Sequence, residues 1–166
     1  MYTTIEMFER NWMYESEATG KLLNALTDQS LAQPVADTHR TLVRVAWHIV
    51  TTIPEMMSHV GLKFTLDQKA PVPKTAAEIL KAYQQASEEL LKQVKENWND
   101  QTLDVEDDLY GETWKRGRTL YTLLIHEIHH RGQMSVLMRQ AGLKVPGIYG
   151  PAMEEWSQYN TEAPEI

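Results

Sequence analysis

No cysteine occurs among the 166 residues. That absence excludes disulfides, thiolate metal ligands and a cysteine nucleophile together. A metal site in this chain must use histidines and carboxylates, and thiol chemistry must use a thiol supplied from outside. Basic residues are also in deficit, 16 against 23 acidic ones, for a formal net charge of −7. A nucleic-acid-binding domain carries a basic face and a high pI, so no nucleic-acid partner is expected. The one local basic run, WKRGR at 114–118, reads as a solvated loop. Long apolar runs are missing too. Nothing approaches the ~18 consecutive apolar residues of a membrane span, so no membrane partner is expected. The opening MYTTIEMFERNW carries Glu6 and Glu9 where a signal peptide would be apolar. A cytoplasmic location follows as the expectation.

What is present is an ordinary globular balance, with 42% hydrophobic and 23% charged residues. The length suits one domain over residues 1–166. Apolar residues recur at helical spacing in four segments, near residues 4–26, 39–59, 75–98 and 119–140. The second follows Asp37 or Thr38 as N-cap and contains Pro54, which should kink it or end its first half. The third opens on Thr75-x-x-Glu78, a capping box. The fourth stops before Gly142, a C′ glycine. DLYGETWKRGR between the last two reads as a turn region with a short hairpin around Gly111. The tail after Gly142 is irregular and should pack across the other helices through Ile148, Tyr149 and Trp156. Four long amphipathic segments and almost no strand signal predict an all-α four-helix bundle. The long gap between the third and fourth helices suggests a crossover connection there.

Six histidines are spread along the chain: His39, His48, His59, His126, His129 and His130. His126 and His130 stand one turn apart and project from one helix face. The spacing places them toward the bundle interior, where neutral imidazoles need partners and a cation serves both. An open metal site needs a third protein ligand, and His48 on the apolar half of the second helix is the best donor. His129 is rotated off the pair, and His39 and His59 lie near the ends of the second helix. Three imidazoles with a fourth position open is a catalytic arrangement. Zinc, nickel, manganese and iron all accept imidazole, with zinc or nickel favoured here. Gln133 lies on the ligand line and could bond a ligand or bound water. Glu55 and Tyr149 are further candidates for acid–base or orienting roles.

The string HEIHH also fits H-E-x-x-H, the zinc-protease signature. The extended form of that motif needs Gly and His where Gln133 and Val136 stand. A downstream Glu154 or Glu155 could serve as third ligand, but both lie in the Pro/Gly-rich tail and His48 would go unexplained. The protease reading is therefore set aside. Glu127 is left as a partner for an imidazole N–H or an ordinary ion-pair residue. Arg131 should point away from the metal toward a carboxylate.

VRVAWHIV and, some 80 residues on, HEIHHRGQMSVLMRQAGLKVPGIYG resemble the DinB-like (YfiT-like) family. The pattern is one His on the second helix, then H-x-x-x-H-R-G-Q on the last long helix, then a G-x-x-x-P turn. The resemblance covers the whole chain. It implies a four-helix bundle of up-down-down-up topology, often a homodimer, with metal ligands falling on His48, His126 and His130. It further implies thiol-dependent S-transferases and isomerases that use bacillithiol, mycothiol or glutathione, alongside members classed as metal-dependent hydrolases without an assigned reaction. Two readings of function stand on this footing. One is an enzyme whose divalent ion activates water or a low-molecular-weight thiol against a small-molecule substrate. The other is a non-catalytic metal-binding stress-response protein. A bundle whose histidines never take a metal is the third and plainest.

Overall fold

In the computed structural model, residues 1–165 are described. Four helices carry the fold: α1 (Ile5–Asn24), α2 (Leu42–Ser58), α3 (Ala76–Asn97) and α4 (Arg116–Gln140). Their ends follow from local chemistry. Thr4 caps α1 by accepting from Met7 N. Thr75 and Glu78 close the expected capping box on α3. α4 ends in a Schellman motif: Gly142 N donates to Arg139 O and Leu143 N to Met138 O, with Gly142 at φ +77.

Two boundaries differ from the expected ones. The N-cap of α2 is Thr41, because residues 36–40 turn back so that Pro34 bridges Thr41. α4 starts at Arg116, directly out of the hairpin. Pro54 does not end α2, which continues to Ser58 with the proline ring buried. Between α3 and α4, strand β1 (Glu106–Leu109) pairs antiparallel with β2 (Glu112–Lys115). Their two-residue turn has positive φ at both Tyr110 and Gly111, the type I′ geometry that matches the strand twist.

Side-chain contacts fix the helix directions. Glu9 meets Lys95 while Trp12 meets Ser87 and Thr19 approaches Tyr83 through Glu127, so α1 and α3 run antiparallel. Tyr2 bonds Gly117 and Glu15 bonds Arg131, so α1 and α4 run parallel. His48 meets His126 and His130, while the end of α2 brings His59 to Tyr110 ahead of α4, so these two oppose. The order is up-down-down-up. Because α2 and α3 run the same way, the segment that crosses the length of the bundle is 59–75. The 98–115 gap joins helix ends at the same end of the bundle and holds a 3-10 turn and the hairpin.

The core is one apolar cluster that includes Phe8, Trp12, Leu22, Ile49, Ile53, Tyr83, Leu90, Leu109 and Met138. Gly117 lets α4 approach the N-terminus: a Cβ there would stand 2.2 Å from the carbonyl oxygen of Tyr2. The tail contributes buried Val145 and partly buried Ile148, and it forms a 3-10 turn over Met153–Tyr159. Among the described residues, no helix is long and apolar enough to cross a membrane.

Candidate metal centre

Helix periodicity brings His126 and His130 to one side of α4, and the antiparallel α2 presents His48 opposite them. Ring centroids lie 5.0 Å (His48–His126), 4.6 Å (His48–His130) and 4.4 Å (His126–His130) apart. One nitrogen from each ring falls within a group spanning 4.8 Å. The three histidines are thus positioned to bind a metal ion.

They do not point into the bundle interior, as their spacing had suggested. His48 and His126 are half-buried, and only His130 is largely covered. The inward line of α4 at this level is held by Glu127 and Arg131, which are 2% and 3% exposed. The imidazoles line the seam between α2 and α4, at the edge of the buried stripe. An ion or small molecule can reach them there.

The rings suit a cation. His126 Nε2 and His130 Nε2 are 3.1 Å apart, the spacing of two nitrogens that share one ion through bonds of about 2.0–2.1 Å. His130 Nδ1 lies 2.7 Å from Gln133 Oε1. Because that oxygen only accepts, Nδ1 carries the ring hydrogen and Nε2 keeps its lone pair for the cluster. Gln133 Nε2 lies 3.1 Å from His129 Nε2. Thr52 Oγ1 donates to the carbonyl of His48 at 2.7 Å and sits 3.5 Å from its Nδ1. His126 Nδ1 is buried and has no protein partner. Burial, then the neighbouring imidazoles, push His48 and His126 down to about 4, and His130 is lowered mainly by burial. All three are therefore neutral near pH 7 and present lone pairs.

Two cavities border the cluster. One, about 490 Å³, is lined largely by apolar side chains, Val45, Val136 and Leu137 among them, together with His130 and Gln133. The other, about 380 Å³, is lined by Arg44, Trp47, His48 and Lys69. Arg40 lines both. The sequence reading passed over Arg40. Its signal was the four-residue spacing Arg40, Arg44, His48, which sets a basic pair directly upstream of a ligand.

The remaining candidates sit elsewhere. Glu55 Oε2 accepts from Tyr110 OH at 2.7 Å, and Oε1 lies 3.5 Å from His59 Nε2. Being seven residues beyond His48, Glu55 stands about 10 Å down the helix axis, facing the hairpin. The Tyr149 hydroxyl donates to Glu15 Oε2 at 2.7 Å and accepts from Arg131, on the α1 side of α4. Gln133 alone of the three touches the imidazoles.

Glu127 neither supports a histidine nor forms an ion pair. Its Oε1 accepts from Thr19 Oγ1 and Tyr83 OH, each at 2.7 Å, while Oε2 has no partner. Burial pushes its carboxyl up to about 7 against the lowering effect of those two hydroxyls. A general base for metal-bound water must face the metal. Glu127 faces α1 and α3, so the protease string is coincidental. Arg131 does pair with a carboxylate, donating to Glu15 Oε2 at 2.5 Å and to the Glu15 carbonyl at 3.0 Å.

Comparison with known proteins agrees with this fold. The DinB family profile matches residues 1–164. The chain is 45% identical over its full length, and that of the relative, to YrdA of Bacillus subtilis (strain 168), a protein described as uncharacterized. A DinB-like protein from Bacillus cereus ATCC 10987 superposes with TM-score 0.87 at 48% identity, over 90% of this chain and 100% of that one. The DinB-like protein YjoA of Bacillus subtilis shares the fold at TM-score 0.68 and 19% identity, over 86% of this chain and 96% of that one. The chain belongs to the DinB family.

Proposed function

We propose that this DinB-family protein is a metal-dependent enzyme of the thiol S-transferase or hydrolase type. The observation that carries the reading is the meeting of three neutral imidazoles with two cavities on one seam. His48, His126 and His130 would hold the ion, zinc or nickel by preference and manganese or iron by the same donor chemistry. A bound divalent ion supplies Lewis acidity, lowering the pKa of a water or thiol beside it. The protein's own residues do the rest. Gln133 holds His130 in one tautomer and orientation, so its Nε2 stays directed at the cluster. Burial keeps the rings unprotonated below neutral pH, so protons do not compete for the lone pairs. The apolar cavity at Val45, Val136 and Leu137 takes the carbon skeleton of an electrophile and excludes water from it. With no cysteine in the chain, the attacking sulfur comes from a small thiol such as bacillithiol or glutathione.

A homodimer belongs to the same proposal. Tyr121 and Ile125, one turn apart and both 42% exposed on α4, offer an apolar face for it.

The test uses metal-loaded, untagged protein with bacillithiol or glutathione and 1-chloro-2,4-dinitrobenzene, and separately with p-nitrophenyl acetate and no thiol. In the first assay sulfur bonds to the ring carbon, chloride leaves and the thiol proton passes to buffer. Metal-dependent turnover in either assay supports the enzyme reading. Tight metal binding without turnover across several thiols and esters favours the non-catalytic metal-binding reading. The cavities beside the ligands argue against that outcome, since simple storage of an ion needs no such space.

A further inference from the structure

In a chain of net charge −7, one cavity is basic. The pocket beside His48 carries Arg40, Arg44 and Lys69 on its walls and no carboxylate. None of the ion pairs among the described residues uses these three cations. Two of them stand where helix electrostatics disfavour them. Arg40 precedes the N-cap Thr41 and Arg44 lies in the first turn of α2, which has no acidic residue. The positive end of the helix dipole repels cations there and attracts anions. The positive charge of Arg40 also reaches all three imidazoles. All three are solvent-exposed, so an anion that enters this cavity meets three cations without carboxylate partners, beside a candidate metal ligand.

We propose that the Arg40–Arg44–Lys69 pocket binds the anionic end, a carboxylate or phosphate, of the small molecule whose other end reaches the three-histidine centre. This rests on the metal-site reading above and gives the substrate a class: an anionic thiol or acid, with its charged group toward α2 and its apolar partner in the cavity between α2 and the end of α4. Guanidinium groups match either oxyanion through paired N–H donors. The apolar cavity shares Arg40 and is walled by His130 while the basic one is walled by His48, so the two ligands meet at the imidazoles.

Cobalt-loaded full-length protein is titrated with 3-mercaptopropionate and with neutral 2-mercaptoethanol, reading the sulfur-to-cobalt charge-transfer band. At low salt the carboxylate thiol should bind about tenfold tighter, and the advantage should shrink with added salt. The double variant Arg40→Gln/Arg44→Gln should erase the advantage, read as the ratio of the two thiols' affinities within the same cobalt-loaded variant. Lys69→Gln, on the crossover segment, should reduce it in part. Equal affinities in the wild type, or a preference that survives the double variant, overturn the proposal. A parallel arm follows backbone amides of residues 40–48 by NMR in metal-free protein, with succinate and with inorganic phosphate. Saturable shifts confined to that stretch and to the facing wall at 68–72 support the pocket, and the anion acting at lower concentration names the head group. No shift with either overturns it. If cobalt fails to bind while those shifts appear, the metal reading has failed and the pocket stands.

Discussion

Glu127 gives a sharp thermodynamic prediction. It completes the protease string, yet it lies fully buried among hydroxyls with its second oxygen unpartnered. Its carboxyl is pushed from an ordinary 4.5 up to about 7. A group whose folded pKa exceeds its unfolded value stabilises the fold below the unfolded pKa. That stability is lost as pH rises through the folded pKa. Two and a half pKa units correspond to about 3.4 kcal/mol in full, of which about 2.5 kcal/mol falls between about pH 5 and about pH 8. Glu127→Gln keeps an acceptor for Thr19 and Tyr83 but places an amide NH₂ where no acceptor waits, a pH-independent cost of about 1–3 kcal/mol. The absolute stability of the variant therefore tests little, and its pH dependence relative to wild type tests the claim. Urea unfolding in chelator at several pH values gives that difference, and the titrating histidines cancel because both proteins share them. The stability of Glu127→Gln relative to wild type should rise by about 2–3 kcal/mol from about pH 5 to about pH 8. Parallel curves would refute the reasoning and return Glu127 to an ordinary solvated carboxylate. If Glu127 were instead the base of a protease, the variant would lose hydrolysis and leave the pH curve alone.

Gln133→Leu should lower metal affinity about 10–100-fold while the far-ultraviolet spectrum stays unchanged, because it frees the tautomer of His130; unchanged affinity in a chelator competition contradicts that role. Arg131→Met leaves the buried Glu15 with the Tyr149 hydroxyl but no cation and should destabilise the fold by about 3–5 kcal/mol in urea unfolding, whereas a loss below about 1 kcal/mol would mark the pair as a surface contact. Metal affinity should persist to lower pH than three ordinary imidazoles would allow, since burial lowers all three, His48 and His126 to about 4; a loss centred on the ordinary histidine value of about 6.5 in an indicator titration contradicts their burial. Gly117→Ala should lower stability by about 1–3 kcal/mol through displacement of Tyr2 from α4, and an unchanged midpoint would show that the N-terminus docks elsewhere.

How far the sequence could be read depended on what each signal encodes. Capping chemistry is local, so Thr75 with Glu78 and the stop at Gly142 marked true helix ends. The four-residue spacing of His126 and His130 needed only the helix period, and one apolar-flanked histidine upstream supplied the third member of the cluster. Which way that face turned was not local. α4 has polar and apolar residues on every side, because two ionisable residues, Glu127 and Arg131, take core positions that periodicity would give to apolar ones. Hydroxyls from α1 and α3 bond one oxygen of Glu127, and Glu15 pairs with Arg131. No feature of α4 alone foretells those partners. The crossover was misplaced for a similar reason. The 98–115 gap is long because it folds into a hairpin, whereas the plainer 59–75 segment spans the bundle. Arg40 went unnoticed because an arginine at a helix start reads as an ordinary solvated residue, and the cavities it lines appear only once α2, α4 and the 59–75 segment are packed together.

The most direct measurement is metal content per chain, by elemental analysis of untagged protein, for the wild type and for His48→Ala, His126→Ala and His130→Ala. The wild type should carry one divalent ion, and each variant should lose it while remaining folded and leaving His39, His59 and His129 in place. An ion retained by all three variants, or held through His129 instead, would contradict the assignment of His48, His126 and His130 as its ligands.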